Sequence, residues 1–272
     1  MGSFIALVPA RMASSRLPGK PLVDLAGVPM VVRVARRATA SGASRVVVCA
    51  DDPRVLETCE RHGVESIMTS VEHATGTDRL AQAATLLGLA PDRIVVNVQG
   101  DEPLIPPEAI GVVARLLQAR PDCDVATCAH RIEQLEELFD PNVVKVVLNG
   151  AGGALLFSRA PIPWSRDAFD GAWSDPGCRP HGSLEPGHGA LRHVGLYAYR
   201  AGFLLRFNRL SPSPLETLEK LEQLRALWHG SGIAVAVLDA ALPRGVDTPE
   251  DLALARRLLA AEPDVRQSAG SG

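Results

Sequence analysis

Short apolar runs at residues 3–8, 45–50, 64–68, 93–98 and 123–129 alternate with stretches in which apolar residues recur at helical spacing. This rhythm of strand, helix and strand constrains the chain more than any other feature, because parallel neighbours can be joined only by crossovers lying on the faces of their sheet. After the first run, "VPMVVRVARRATASG" puts Met30, Val31, Val34, Ala35 and Ala38 on one stripe, with Arg33, Arg36 and Arg37 opposite and Gly42 as a stop. "DDPRVLETCERHG" and "TDRLAQAATLLG" repeat the grammar, each with an acidic or hydroxyl start and a terminal glycine. The expected fold is therefore α/β, a doubly wound, mostly parallel sheet of Rossmann-like type, with ligands at the carboxyl ends of its strands.

From about residue 131 the rhythm changes. "VVKVVLNGAGGALLFS" reads as a hairpin turned by Gly150 to Gly153, and "LRHVGLYAYR" as a further strand, so a smaller antiparallel subregion is expected. Between them, residues 161–190 are rich in Gly, Pro and Trp and read as a long functional loop. "SPSPLETLEKLEQLRALWHGSG" predicts one helix with Leu215, Leu218, Leu221, Leu224 and Trp228 on a single face; "IAVAVL" returns as a strand, and a last helix starts at Thr248. A single domain over 1–262 is expected, with 1–130 and 231–262 as its core, 131–230 as the smaller subregion and 263–272 as a flexible tail.

With 46% hydrophobic residues in 272, such a domain can bury a substantial core. The 28 basic and 31 acidic side chains leave a net charge of -3, which gives no global field for nucleic acid or an anionic membrane. The apolar run at the N-terminus, about seven residues ending at Pro9 and Arg11, is too short for a signal segment or a bilayer span, and a cytoplasmic protein is expected. Five scattered cysteines fit a reducing compartment. Zinc ligation by Cys123, Cys128 and His130 is disfavoured, since the alternation in "CDVATCAH" sends the two thiols to opposite faces.

Three stretches carry chemistry. "PARMASSRLPGKPL" empties the first strand into a loop with Arg11, Arg16 and Lys20, stiffened by Pro18 and Pro21. It matches neither the P-loop nor the G-x-G-x-x-G pattern. Two guanidinium forks and one ammonium at a strand's carboxyl end nonetheless suit a polyphosphate, although a solvated basic loop accounts for the same residues. In "VVNVQGDEPLI", a buried strand ends in Gln99, Gly100, Asp101 and Glu102. A carboxylate beside a triphosphate makes sense with a divalent cation between them, while turn capping is the plain alternative. In "RGVDTPEDLALARRLL", helix initiation explains Thr248, Pro249 and Asp251 but not Asp247, which is either a turn residue or a second carboxylate for the same metal. "HATGTDR" gives Thr77 as a helix cap with Asp78 and Arg79 in the first turn; His193, Tyr197 and Tyr199 share a strand face; Glu222 and Gln223 would ordinarily be solvated.

Taken together with "NVVKVV", "FSRAPIPWSRD" and "SPLETLEKLEQLRAL", these motifs resemble the 3-deoxy-manno-octulosonate cytidylyltransferases, or CMP-Kdo synthetases, in order from residue 4 to about 258. The resemblance implies a nucleotidyltransferase fold, transfer of CMP from CTP to the anomeric hydroxyl of the sugar acid Kdo with Mg²⁺, and a homodimer joined through 131–230. It implies that Arg11, Ser14, Ser15, Arg16, Lys20, Arg79 and Gln99 hold the nucleotide, and that Asp101 and Asp247 bind magnesium. Lys20, Asp101 and Asp247 would be the catalytic set. Gln99, Arg159, Arg166, His193, Tyr197, Glu222 and Gln223 would line the sugar-acid pocket. The family usually has Ser at Thr75 and "ATDD" where this chain has "CADD" at 49–52, and loop 167–190 is longer here. A cytidylyltransferase for another acidic sugar, or a silent nucleotide-binding protein, are the competing readings; retention of Arg11, Arg16, Lys20, Asp101 and Asp247 together argues against the second.

Overall fold

Each apolar run becomes a strand, its ends shifted by at most two residues from those read in the sequence. The computed structural model describes residues 3–13, 16–73, 75–167, 169, 181–185 and 187–261. Its first half runs β1 (Ile5–Ala10), the short strands β2 (Asp24–Leu25) and β3 (Val28–Pro29), α1 (Met30–Ala40), β4 (Arg45–Ala50), α2 (Pro53–Arg61), β5 (Ser66–Met68), α3 (Gly76–Leu86), β6 (Ile94–Asn97), α4 (Pro107–Ala119) and β7 (Val125–Arg131). The second half runs α5 (Leu135–Phe139), β8 (Lys145–Leu148), β9 (Ala154–Ser158), β10 (Leu191–Arg200), α6 (Ala201–Phe207), α7 (Pro214–Glu219), α8 (Gln223–Trp228), β11 (Ile233–Leu238) and α9 (Pro249–Ala261).

Among the described residues, nine strands form one sheet whose main path is β11-β7-β10-β6-β1-β4-β5. β4 and β6 flank β1 in parallel, β5 follows β4, and β11 lies parallel to β7. The expected mostly parallel, doubly wound sheet is therefore present, with β10 inserted antiparallel between β6 and β7. The expected hairpin is β8 and β9, joined to β10 through a single register pair, Arg192 with Lys145. Strand parity sorts the core: Ala6, Val8, Val48 and Val96 face α1, α2 and α4, while Leu7, Val47 and Val95 face α3, α6 and α8. The stripe read for α1 is buried as expected.

Four details differ from the sequence reading. β2 and β3 pair around Ala26 and Gly27, both at positive φ, in a small hairpin that the apolar pattern did not announce. Cys123 precedes β7 instead of extending it, so its thiol joins Cys128 in one apolar cluster, not on the opposite face. The cap of α3 is Thr75, not Thr77: Thr75 accepts from Asp78 N and Asp78 accepts from Thr75 N, the reciprocal capping box that the spacing of those two residues favours. Finally, the expected leucine-rich helix is two, α7 and α8, broken at Lys220, whose φ is 56°. Leu221 and Leu224 are buried, but Leu218 is 81% and Trp228 57% exposed, so the apolar stripe is only partly covered within one chain.

Residues 14 and 15, most of 168–180 and the tail from 262 lie outside the described residues. Among the described residues no helix is long and apolar enough to cross a membrane.

The chain leaves β1 toward β4 on one side and returns to β6 on the other, which makes the gap beyond their carboxyl ends the switch point of the sheet. Gly100 closes that gap. A Cβ there would stand 2.5 Å from the Pro9 carbonyl oxygen, which is backbone and cannot yield. Gly100→Ala is expected to lower unfolding stability by about 1–3 kcal/mol in urea melts. Gly150→Ala, in open space on the β8–β9 turn, is expected to stay within about 0.5 kcal/mol of wild type.

Candidate functional site

A cavity of about 510 Å³ opens at the switch point, lined by Arg11, Arg16, Lys20, Gln99, Gly100, Asp101 and Asp247, among others. The loop after β1 is shaped for it. Gly19 takes the left-handed conformation (φ 68°) that starts a 3₁₀ turn over Lys20–Leu22, and Pro21 fixes the next residue. That turn carries the Lys20 side chain inward, where it is 12% exposed. Its Nζ donates to Asp101 Oδ2 at 2.6 Å and to Asp247 Oδ1 at 2.8 Å. Arg16 reaches Asp247 Oδ1 at 3.2 Å from the solvent side.

Each aspartate is held by its own element. Asp101 follows β6 through Gln99 and Gly100; its carbonyl accepts from Val246 N at 2.8 Å, which staples the strand end to the segment that delivers Asp247. The α9 cap is the box expected from Thr248 and Asp251, and Asp251 Oδ2 also accepts from Asp247 N at 3.0 Å, fixing the backbone of the residue before the cap. The two surplus aspartates therefore do meet, across one lysine.

Arg79 also lines this cavity, although little of it is exposed. It is 3% exposed, donates to Asp51 Oδ2 at 2.8 Å and to the Thr69 hydroxyl, and Asp51 Oδ1 accepts from Met12 N at 3.0 Å. The pair thus ties the basic loop to the end of β4. Asp51 was missed in the sequence because "CADD" offers two adjacent aspartates; Asp52 caps α2, and only the fold separates their roles.

A smaller cavity of about 120 Å³ adjoins the first and shares Gly76 and Gln99 with it. Tyr197, Glu222 and Gln223 line it together with Thr77, Asn97, Tyr199, Phe203 and Phe207. The break between α7 and α8 is what aims Glu222 here: its carboxylate accepts from Thr75 Oγ1 at 3.1 Å and from Thr77 Oγ1 at 3.0 Å at the start of α3. Burial pushes the Glu222 carboxyl above the usual range, and those two hydroxyls oppose the shift. Burial also raises the Tyr197 and Tyr199 hydroxyls, so both remain neutral donors.

Gln99 lines both cavities, whereas Arg159, Arg166 and His193 line neither. Arg159 spends Nε on the Glu219 carbonyl and one terminal nitrogen on the Pro141 carbonyl, because Glu219 also binds Ser158 Oγ and Arg159 N. Arg166 is exposed. His193 stands behind Tyr197, ring centroids 5.3 Å apart, with Nε2 3.0 Å from Thr127 Oγ1; burial pushes its imidazole down to about 3, so it stays neutral. Lys145 of "NVVKVV" is fully buried and donates to three carbonyls, those of Asp140, Val143 and Arg159.

Comparison with known proteins gives a consistent family. Residues 5–233 match the cytidylyltransferase family model. A 3-deoxy-manno-octulosonate cytidylyltransferase of Verminephrobacter eiseniae is 58% identical over 256 residues, 94% of each chain. One of Methylibium petroleiphilum is 58% identical over 263 residues, covering 94% of this chain and 95% of its own. A solved CMP:2-keto-3-deoxy-manno-octonic acid synthetase in complex with CTP superposes with a TM-score of 0.82 at 38% identity, over 95% of this chain and 99% of that one.

The clamp under the basic loop is open to test. Arg79→Met leaves Asp51 buried (9% exposed) without its partner and is expected to cost about 3–5 kcal/mol of unfolding stability. In a double-mutant cycle, Asp51→Asn with Arg79→Met is expected to cost less than the sum of the single variants; strict additivity in urea melts would deny the coupling.

Proposed function

The chain belongs to the 3-deoxy-manno-octulosonate cytidylyltransferase family, and on that footing we propose that it transfers CMP from CTP to the anomeric hydroxyl of Kdo, releasing pyrophosphate. The observation that carries this reading is the convergence of Lys20, Asp101 and Asp247 on the wall of the larger cavity at the sheet's switch point. Asp101 Oδ2 and Asp247 Oδ1 both lie within 2.8 Å of one ammonium nitrogen, so two hard oxygen donors already converge, as Mg²⁺ requires. Among the described residues no group of three or more His, Cys, Asp or Glu side chains could hold a metal, so phosphate oxygens and water would complete the shell. When bound there, Mg²⁺ supplies Lewis-acid charge to the phosphate oxygens.

The residues of the chain do the rest. Arg11 and Arg16, with Ser14 and Ser15 of the same loop, bind the triphosphate; Lys20 carries a compact positive charge at the α-phosphate; Arg79, which lines the same cavity, binds the nucleotide and also holds the loop through Asp51. The acceptor hydroxyl forms a bond to the α-phosphorus as the bond to pyrophosphate breaks, and the protein contributes position and charge rather than a covalent intermediate. Gln99, common to both cavities, orients nucleotide and acceptor together. Tyr197, Glu222 and Gln223 meet acceptor hydroxyls, with His193 bracing Tyr197. Arg159 and Arg166 meet its carboxylate outside the smaller cavity, whose lining they do not join. The whole is one nucleotidyltransferase domain over 1–262, whose core (1–130 and 231–262) and acceptor subregion (131–230) share an apolar cluster. It acts as a cytoplasmic homodimer in lipopolysaccharide precursor synthesis; exposed Leu155, Leu218 and Trp228 of 131–230 support that contact.

Pyrophosphate release by purified protein, with CTP, Mg²⁺ and a panel of sugar acids including Kdo and N-acetylneuraminate, tests the reading. Release with Kdo alone, abolished by a chelator, is expected. Release only with another acid would keep the phosphate and metal assignments and reject the acceptor, and no release with any acid would reject the reaction. Asp101→Ala is expected to lower kcat by roughly 10²–10³-fold, the scale of losing a preorganised electrostatic group.

A further inference from the structure

We infer that Asn97 is a binding residue for the acceptor, its carboxamide hydrogen-bonding a hydroxyl of the neutral, polyol part of the sugar acid; this rests on the reading of the chain as a sugar-acid cytidylyltransferase. Asn97 ends β6 between Leu7 of β1 and Tyr197 of β10. Its neighbours Val95, Val96 and Val98 are wholly buried, and it is itself 3% exposed. Yet its Oδ1 has no hydrogen-bond partner, and its side chain forms part of the wall of the smaller cavity.

A buried amide oxygen without a partner costs free energy that valine or leucine at the same strand position would not. The sequence keeps the amide at the one point where β6 passes the cavity, which is where a bound molecule can supply the missing partner. An amide both donates and accepts, as a sugar hydroxyl does. Charge selects which part of the acceptor arrives. Glu222 is the charged side chain among the described residues lining this cavity, so a carboxylate there would be repelled and hydroxyls would be welcomed. The stacked rings of Tyr197 and Tyr199, centroids 5.6 Å apart, give the C–H face of a sugar a flat wall. Because Gln99 and Gly76 belong to both cavities, an acceptor held this way abuts the phosphates.

The test compares wild type, Asn97→Leu and Asn97→Ala in three measurements: KM and kcat for Kdo at saturating CTP, the Kd for CTP without acceptor, and the melting temperature without ligand. The variants are expected to raise KM for Kdo about 5- to 150-fold, the equivalent of losing a hydrogen bond worth ~1–3 kcal/mol. The Kd for CTP should stay within about twofold, and Asn97→Leu should melt at or above the wild-type temperature. A structural amide, or one satisfied by a resident water, would instead lower the melting temperature and leave KM for Kdo unchanged; that result overturns the inference. If Asn97→Leu does not fold, the Asn97→Ala comparison decides by the same criteria. Wild-type turnover is scored first: if no sugar acid is turned over, the functional reading fails and this inference with it, whereas turnover with unchanged KM in the variants removes Asn97 alone.

Discussion

One ammonium group between two carboxylates organises the molecule's working end. Lys20, Asp101 and Asp247 come from three distant parts of the chain, and the contacts of 2.6 and 2.8 Å can form only when β1, β6 and the segment before α9 are all in register. The arrangement is also chemically unfinished. Two hard oxygen donors, a lysine and the outlying Arg11 and Arg16 leave a concave surface that is polar and charged in both signs, suited to a polyphosphate with its divalent cation and poorly suited to an apolar ligand. The Arg79–Asp51 pair supports it from below, through Met12 N.

The sheet explains why the two cavities touch. Both lie at the carboxyl end of β6: Asn97, its last residue, lines the smaller cavity, Gly100 and Asp101 just beyond line the larger, and Gln99 lines both. β10, antiparallel beside β6, brings Tyr197 and Tyr199 to the same side as Asn97, and the start of α3 brings Thr75 and Thr77 to meet Glu222. Two adjoining cavities are thus built around one strand end, and on the proposed reading they would hold nucleotide and acceptor side by side.

Local pattern carried much of this into the sequence. The strands, the α1 stripe, the β8–β9 hairpin and the α9 cap depend on neighbours within a few residues, so period and capping chemistry revealed them. The cap of α3 was legible too, since Thr75 stands three residues before Asp78, whereas Thr77 donates to Glu222. The break at Lys220 was not legible. It is fixed by Glu219 on Ser158 and Arg159 and by Glu222 on Thr75 and Thr77, partners some 60 and 147 residues away, and helical period is blind to them. The antiparallel insertion of β10 is likewise a tertiary fact. Asn97 did leave a signal, a lone amide among valines of a buried strand, and its meaning emerged only with the cavity beside it.

The central claim is that Asp101 and Asp247 together form the cation site on which the nucleotide's phosphates close. Electron paramagnetic resonance of Mn²⁺, titrated into the protein with CTP present, measures that occupancy directly and independently of turnover. The account predicts one protein-dependent Mn²⁺ population in the wild type that weakens by tenfold or more in both Asp101→Asn and Asp247→Asn. Undiminished Mn²⁺ affinity in either variant would contradict it, leaving that aspartate only as a counterion for Lys20.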